Sequence, residues 1–323
     1  MTTALPVLTS SRLKTARACQ RLHRYQYTLG YRPLAESSAA RFGTLVHLAL
    51  EAWMRSTNDR LAAALQVLEL TEADPFDRAR AAALVTGYHF RWADEPMKVL
   101  TVEAKFETDL RNPSTGHPSR TWRVGGKLDG IVEVNDDPMV LEHKVTSEDM
   151  GPGTTYWARL KLDGQISMYF VGANALGFDV KGCIYDVLKR PAQRPYKATP
   201  LEDRKLKKDG TPYASTRMSD ETPEEFKARV MEAIAENPTD YYSRGTVVRL
   251  EGEVEEALTD VWQTARILHE NELRGFAPRT VEACIRYGSP CPFLPVCSGE
   301  ASLEDATLYR KLTDVHPELS EAA

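Results

Sequence analysis

The amino-acid sequence predicts an α/β fold with a helical N-terminal part. Amphipathic segments with a helical period fill the chain up to about Trp92, and segments with a strand period follow them. A helix-like segment then precedes a further strand, and the chain shows neither an internal repeat nor an obvious linker. With 42% hydrophobic residues among 323, we expect one α/β domain with a substantial core.

Helices are predicted where apolar residues recur every three to four positions. The first helix begins at Ser10 or Ser11, either of which is a suitable N-cap. A later helix contains Gly164 as an irregularity and is expected to end near Gly177. The predicted helices are SSRLKTARACQRLHRYQYTL, ARFGTLVHLALEAWMRS, TTYWARLKLDGQISMYFVGANALG, PEEFKARVMEAIAE and GEVEEALTDVWQTARILHENEL, with further helical pattern up to Trp92.

Strands are predicted where apolar and polar residues alternate or where short apolar runs occur. The segment NDDP, residues 135–138, is a strong turn signal between two of them. Residues 190–222 are rich in proline and charge and are expected to be irregular. The predicted strands are KVLTVEAKFETDL, TWRVGGKLDGIVEV, MVLEHKV, VKGCIYDVLK and YYSRGTVVRL.

Charged residues interrupt the two strands that this turn joins. Asp129 lies in the first strand, and Glu142 and Lys144 are two apart in the second, so they point to one face. The hairpin can bring Asp129 beside that pair. Two neighbouring carboxylates repel each other, and a divalent cation such as Mg²⁺ or Mn²⁺ between them removes the repulsion. The pattern therefore indicates a metal site, the alternative being a surface hairpin with ordinary charges.

Composition limits the classes of function. The formal net charge of −5 does not indicate a general nucleic-acid binder, but it is compatible with a metal-dependent enzyme acting on phosphates, because cations and local basic patches supply the attraction. No apolar run approaches the length of a membrane span, and the N-terminus does not resemble a signal peptide. We expect a soluble cytoplasmic protein that does not bind membranes.

The five cysteines are unevenly distributed. Cys284, Cys291 and Cys297 lie within fourteen residues, whereas Cys19 and Cys183 stand alone. Clustered cysteines in an intracellular chain more often bind metal than form disulfides. Cys183 lies in a predicted strand and is expected to be a buried apolar residue.

Several short motifs follow one another in the order of a known family. Asp129 precedes the EHK element at 142–144, and FGTLVHLALE carries His47 in a G-x-x-x-H pattern. TVEAKF precedes the core, and QISMY, with its Q-x-x-x-Y pattern, follows it. Together these motifs resemble the PD-(D/E)XK nuclease superfamily and, within it, the RecB-type exonuclease branch. Without the resemblance, His47 would be read as an interior histidine.

The resemblance implies a fold and a catalytic centre. The fold would be a restriction-endonuclease-like core in which helices flank a central mixed β-sheet. Asp129, Glu142, His47 and the backbone carbonyl of His143 would hold Mg²⁺ or Mn²⁺. Lys144 would stabilise the negative charge that develops on the phosphate.

The resemblance also implies residues outside the core. Glu103 in TVEAKF would support the site, and Gln165 and Tyr169 would position DNA. Without the resemblance, Gln165 and Tyr169 would be read as a polar edge and a core aromatic. A basic run in the 190–222 segment is expected to be either a solvated loop or a phosphate-binding element, through Lys205, Lys207 and Lys208.

The cysteines complete the resemblance. Cys19 with Cys284, Cys291 and Cys297 resembles the iron–sulfur site of the CRISPR-associated and AddB-type nucleases, although Gln20 stands where that family often has proline. Four thiolates suit either zinc or an iron–sulfur cluster. The chain lacks the paired C-x₂-C typical of zinc knuckles and the compact cysteine run of ferredoxins. We therefore expect a structural [4Fe–4S] cluster in a C-terminal loop.

The predicted function is a metal-dependent DNA nuclease, an exonuclease on single strands or duplex ends with little sequence specificity. The alternatives are a non-catalytic iron–sulfur DNA-binding module of the same fold and a redox protein. Recombination, repair or CRISPR proteins would be partners, and the chain could form oligomers. The whole chain, 1–323, is predicted to be a single nuclease domain, comprising a helical part (11–92), the catalytic core (98–188), a basic insertion (190–222), and helices with the cysteine cluster (223–299).

Overall fold

The computed structural model describes residues 5–95, 97–286, 288–316 and Leu319, so both ends of the predicted 1–323 domain lie outside the described residues. In this part of the chain the α-helices are α1 Ser10–Ala18, α2 Gln20–His23, α3 Ser38–Arg55, α4 Arg60–Leu70, α5 Pro75–Arg91, α6 Thr155–Leu160, α7 Gly164–Ala175, α8 Pro223–Glu236, α9 Pro238–Tyr241, α10 Glu251–Leu273 and α11 Leu294–Ser298. A π-helix (Arg24–Thr28) and two 3₁₀ helices (Leu201–Asp203 and Val281–Ala283) add to these.

The β-strands form one central mixed sheet and two short ribbons. The strands are β1 Val7–Leu8, β2 Tyr31–Pro33, β3 Lys98–Arg111, β4 Pro118–Val134, β5 Asp137–Thr146, β6 Gly182–Lys189, β7 Tyr242–Val247, β8 Ile285–Arg286, β9 Ser289–Pro290 and β10 Tyr309–Lys311. In the central sheet β3, β4, β5, β6 and β7 are neighbours in that order, and β1 pairs with the first half of β4. The β5–β6 pair is parallel, whereas β3–β4, β4–β5 and β6–β7 are antiparallel. The predicted mixed sheet flanked by helices is confirmed.

A tight turn sets the register of the β4–β5 hairpin. Asn135 and Asp136 have φ values of 52° and 68°, so both occupy the left-handed region that a two-residue type I′ turn requires. The turn is shorter than NDDP suggested, because Asp137 and Pro138 already belong to β5. From this turn the pairing runs back to Gly130 opposite Leu141.

Helices cover both faces of the sheet because its central strands alternate apolar residues between two cores. Leu141 packs into a core shared with α3, α4, α5 and α8, whereas its neighbour Val140 packs into a second core with α6 and α7. A third core joins α1 and α10 to β1, β3 and β4, with Trp122 almost fully buried. Within the described residues, no helix is both long and apolar enough to cross a membrane.

The first predicted helix differs from expectation at its start and in its middle. Its N-cap is Thr9, whose side chain accepts a hydrogen bond from the Arg12 N–H at 3.2 Å, and not Ser10 or Ser11. Cys19 has extended dihedrals (φ −160°, ψ 115°), so α1 ends at Ala18 and α2 begins after the cysteine.

The helix predicted for residues 154–177 is two helices. Gly164 is the first residue of α7, because the Asp163 carboxylate caps this helix by accepting the Gln165 N–H at 2.8 Å. Gly177 follows α7 with φ +87°, which agrees with the predicted end.

Candidate active site

Asp129 lies where the β4–β5 ladder opens. Main-chain pairing of β4 with β5 extends only as far as Gly130, the residue that follows Asp129, opposite Leu141. The Asp129 Oδ2 atom instead accepts the backbone N–H of His143 at 2.8 Å. A side-chain carboxylate therefore occupies the place of a main-chain acceptor, and it lies beside the strand that carries the EHK element.

Glu142 and Lys144 share one face of β5, as their spacing predicts. They form an ion pair with each other, and the Gln165 Nε2 group on α7 lies 3.4 Å from Glu142 Oε1. Glu142 is 1% exposed, and its Oε2 atom has no hydrogen-bond partner among the described residues. A buried carboxylate oxygen without a donor is unfavourable unless a cation or water satisfies it.

His47, on α3, lies beside Asp129. Its Nδ1 atom lies 3.6 Å from Asp129 Oδ2, and the side chain remains about one-third exposed at 35%. Burial lowers the pKa of His47, which favours the neutral imidazole that can act as a metal ligand. We call Asp129, Glu142, Lys144 and His47 the catalytic cluster.

The two carboxyl groups of the catalytic cluster are held in an unfavourable environment. Burial raises the pKa of Asp129 to about 6, although Lys144 opposes the rise. Burial and the neighbouring Asp129 raise the pKa of Glu142 to about 7. Burial lowers the pKa of Lys144, but Glu142 and Asp129 raise it by more, so the ammonium stays charged. One lysine does not offset the charge of these two carboxylates.

Glu103 lies beside the catalytic cluster in a strained conformation. Its φ of 54° is in the left-handed region, which costs of order 1–3 kcal/mol for a residue other than glycine. Its carboxylate forms an ion pair with Lys127, which sequence reasoning did not select. The signal was present, because Lys127 lies two positions before Asp129 on the same strand.

Comparison with known proteins agrees with this geometry. Residues 7–298, most of the chain, match the family model of the PD-(D/E)XK nuclease superfamily. The chain belongs to this superfamily. Its members generally use a divalent metal, and the family implies a DNA substrate.

Other comparisons are weaker. A crystal structure of the protein SSO0001 matches at 13% identity over 83% of this chain and 90% of that one, with a TM-score of 0.30. A phage-related exonuclease from Haemophilus somnus 129PT matches at 12% identity over 71% of this chain and 94% of that one, also with a TM-score of 0.30. At these TM-scores neither carries a functional argument. A search of curated proteins found no match.

The Q-x-x-x-Y pair of this superfamily member faces the catalytic cluster. Gln165 and Tyr169 are hydrogen-bonded to each other on one face of α7. Tyr169 is only 5% exposed, and its pKa is raised by burial and then by the Glu142 carboxylate. The predicted role of Gln165 and Tyr169 in positioning DNA stays a prediction.

On the opposite face of β5, a second polar group is buried. The His143 Nε2 atom lies 3.1 Å from the Tyr88 hydroxyl, which donates to Asp186 Oδ2 at 2.8 Å. Arg244 donates to the same oxygen from Nε and Nη2, at 3.2 and 2.5 Å. We call Tyr88, the His143 side chain, Asp186 and Arg244 the rear cluster. Sequence reasoning missed it, because its members lie on four separate elements.

The three lysines predicted to bind DNA in the 190–222 segment are exposed, and they do not line the cleft beside Lys144. Lys205, Lys207 and Lys208 lie on one limb of a small loop, in which Leu206 bridges to Pro212. Main-chain hydrogen bonds described for Lys205 and Lys207 stay within this loop. Their DNA-binding role stays a prediction.

Four cysteines from the two ends of the nuclease fold meet at one small cavity. Cys19, Cys284, Cys291 and Cys297 all line it, together with Tyr25 and Phe293 among others. The four are free thiols, and the Cys291 N–H donates to the Cys284 carbonyl at 2.7 Å. Cys183 lies in β6, is fully buried and belongs to a different core, as predicted.

Neither the catalytic cluster nor the cysteine cavity has side chains already arranged to coordinate a metal ion. Among the described residues, no group of three or more His, Cys, Asp or Glu side chains has the arrangement of a bound metal ion. The fit of a metal therefore rests on donor chemistry: carboxylates and imidazole in the catalytic cluster, and four thiols around the cysteine cavity.

Proposed function

We propose that the protein is a divalent-metal-dependent DNA nuclease. The observation that carries the proposal is the meeting of Asp129, Glu142, His47 and Lys144, which come from three elements of the fold. One buried carboxylate and one that is 13% exposed, both with raised pKa values, and one unpartnered oxygen fit a site that takes its balancing charge from solution.

The residues present fit Mg²⁺ or Mn²⁺, which prefer oxygen ligands and accept imidazole. Asp129, Glu142, His47 and the His143 carbonyl would hold the ion. When bound, the ion activates water and neutralises charge on the leaving oxygen. Glu142 would be oriented by Gln165 and Tyr169, and Glu103 with Lys127 would support the neighbouring strand.

Lys144 would act on the phosphate directly. Its side chain is 30% exposed and lines an open cleft, so its ammonium reaches a substrate while remaining paired with Glu142. A charged donor at this point stabilises the negative charge that develops as the phosphodiester is attacked.

The finer classification is part of the proposal. We place the chain in the RecB-type branch, as an exonuclease with little sequence specificity, because contacts to phosphates carry no sequence information. Digestion of end-labelled single-stranded and duplex DNA with Mg²⁺ or Mn²⁺ tests it. Metal-dependent loss of nucleotides from an end is expected, whereas DNA binding without cleavage under any metal would favour the non-catalytic module.

We also propose that the cysteine cavity holds a [4Fe–4S] cluster. Four free thiols around one cavity, from segments separated by most of the chain, fit four-thiolate ligation. A link closing so long a loop stabilises by about 4–5 kcal/mol on the disulfide analogy, a large share of a typical folding free energy of about 5–15 kcal/mol.

Metal analysis of anaerobically purified protein tests the cluster. Brown protein with about four irons per chain is expected. Cys284→Ala should lose the colour and become unstable, whereas the matched control Cys183→Ala should keep the colour. Colourless protein with one zinc ion per chain would refute the cluster and leave the nuclease proposal untouched.

A further inference from the structure

A cleft opens beside Lys144 between elements that are distant in sequence. Residues of α1, the α6–α7 turn, β5 and α10 line it, and Lys144 and Gln165 lie at its catalytic end. The α1 and α10 helices pack together in the third core, and Arg17 donates a hydrogen bond to Thr264 at 3.3 Å. The cleft is therefore continuous with the catalytic cluster and is built on packed helices.

One wall of this cleft is basic. Lys14 and Arg17 are three residues apart on α1 and so share a helix face, and Lys161 follows α6. All three side chains are exposed. Among the described residues, no carboxylate lies within salt-bridge distance of any of them, although acidic side chains line the same cleft. Their charge remains available to an anion from solution.

The other wall is acidic. Glu253, Glu256 and Asp260 lie at positions i, i+3 and i+7 of α10, on one helix face, and all three are exposed. A duplex presents a phosphate backbone on either side, so one backbone would meet these carboxylates. A single strand can turn its phosphates to the basic wall and its bases to the acidic wall, where carboxylates accept from base amino groups such as cytosine N4.

We infer that this cleft binds one strand of DNA, with its phosphates on Lys14, Arg17 and Lys161 and its bases towards α10, and leads it to Lys144. The inference deepens the proposed nuclease function, and its direction towards Lys144 rests on that proposal. The net charge of −5 makes a local basic wall necessary, because the protein as a whole does not attract DNA.

Binding measured without divalent metal tests the cleft separately from catalysis. The probe is a labelled oligodeoxycytidylate, whose bases carry the N4 amino group, followed by fluorescence anisotropy across a salt series. Replacing Lys14, Arg17 and Lys161 by Glu should lower the slope of log K against log salt by about 2, since each lost phosphate contact with a single strand removes about 0.7. At about 0.1 M salt this corresponds to roughly a hundredfold weaker binding.

The control replaces Lys98, Lys181 and Arg274 by Glu, which changes the charge by the same amount at exposed residues that do not line the cleft. This variant should keep the wild-type slope. An unchanged slope in the Lys14, Arg17 and Lys161 variant would overturn the inference, as would equal binding of a blunt hairpin duplex by the wild-type protein. Intact binding without any hydrolysis would instead refute the nuclease proposal and leave the cleft in place.

Discussion

The catalytic cluster and the rear cluster lie on β5 and its neighbours, but their charges are balanced differently. In the rear cluster, Asp186 is fully buried, and Arg244 donates hydrogen bonds to its Oδ2 atom from two nitrogens. In the catalytic cluster, Asp129 and Glu142 share Lys144, which is partly exposed to the cleft. Each cluster also has one buried carboxylate oxygen without a described partner, Asp186 Oδ1 and Glu142 Oε2.

We propose that the difference separates a structural charge pair from a functional one. The rear cluster carries its own cation, Arg244, which bonds the buried carboxylate of Asp186. The catalytic cluster has an excess of negative charge beside an open cleft, which would stabilise a bound cation. Perturbed carboxylates in a cleft are a general sign of a functional site. The two clusters should therefore respond oppositely to mutation.

The largest effect is expected from removing Arg244, the cation of the rear cluster. Arg244→Ala leaves Asp186 buried without its partner and should lower the free energy of unfolding by about 3–5 kcal/mol. Urea denaturation measures this. The rate per folded molecule should stay near that of the wild type, and the double variant Asp186→Leu with Arg244→Met should recover much of the lost stability, because both charges are then absent.

Removing Lys144, the cation of the catalytic cluster, should lower the rate of cleavage and leave the stability unchanged. Lys144→Ala should lower the cleavage rate by about 10²–10³, since it removes one stabiliser of developing charge. Its thermal midpoint should not fall, because the side chain is partly exposed and Glu142 can take up a proton. Initial rates on end-labelled DNA, alongside a melting curve, check both parts. Full activity in this variant would contradict the assignment of the EHK element.

The pH dependence of metal binding should sharpen the contrast. In the metal-free protein the pKa of Asp129 is about 6 and that of Glu142 about 7, above their ordinary values of 3.8 and 4.5. For each carboxyl group, between its ordinary pKa and its raised pKa, the native state binds more protons than the unfolded chain. The two carboxyl groups therefore lower the free energy of unfolding as the pH rises through this range. A divalent ion binds the deprotonated form and offsets this loss.

Stabilisation by Mn²⁺ should therefore grow between about pH 5.5 and pH 7.5. It should reach about 2.7 kcal/mol when the free ion is about 100 times its Kd. Differential scanning fluorimetry across this range measures it, and Glu142→Gln should remove the part of the pH dependence near pH 7 while the part due to Asp129 remains. A shift that is the same at every pH would argue against metal binding at the two carboxylates.

The smallest effect is expected at Tyr88. Tyr88→Phe removes the hydroxyl that donates to Asp186, at a cost of about 1 kcal/mol, while Arg244 still satisfies that oxygen. The cleavage rate should stay within about twofold of the wild type, a change of about 0.4 kcal/mol in the barrier. A large loss of rate at unchanged stability would show that the rear cluster supports catalysis through His143.

Much of the fold and of the catalytic cluster could be predicted from local patterns. The period-two spacing of Glu142 and Lys144 determined that they share a face, and the turn signal at 135–138 determined that Asp129 lies near them. The helical period located α3 and hence His47. The division of the chain into one domain with four parts stays a prediction.

Other features depended on which elements pack together. The sequence by itself determined which face of a strand or helix each residue occupies, because backbone periods are local. Only the tertiary structure decided that α7 covers Glu142 and that Tyr169 is buried there. It also decided that Cys19, which ends α1, lines a cavity together with three distant cysteines. The contact between Arg244 and Asp186 likewise depends on how the strands are arranged in the sheet. The tertiary structure also packed α1 against α10 beside the cleft, although more than 230 residues separate them. A sequence period cannot specify such neighbours, because long-range packing is the sum of many small contacts made only in the folded chain.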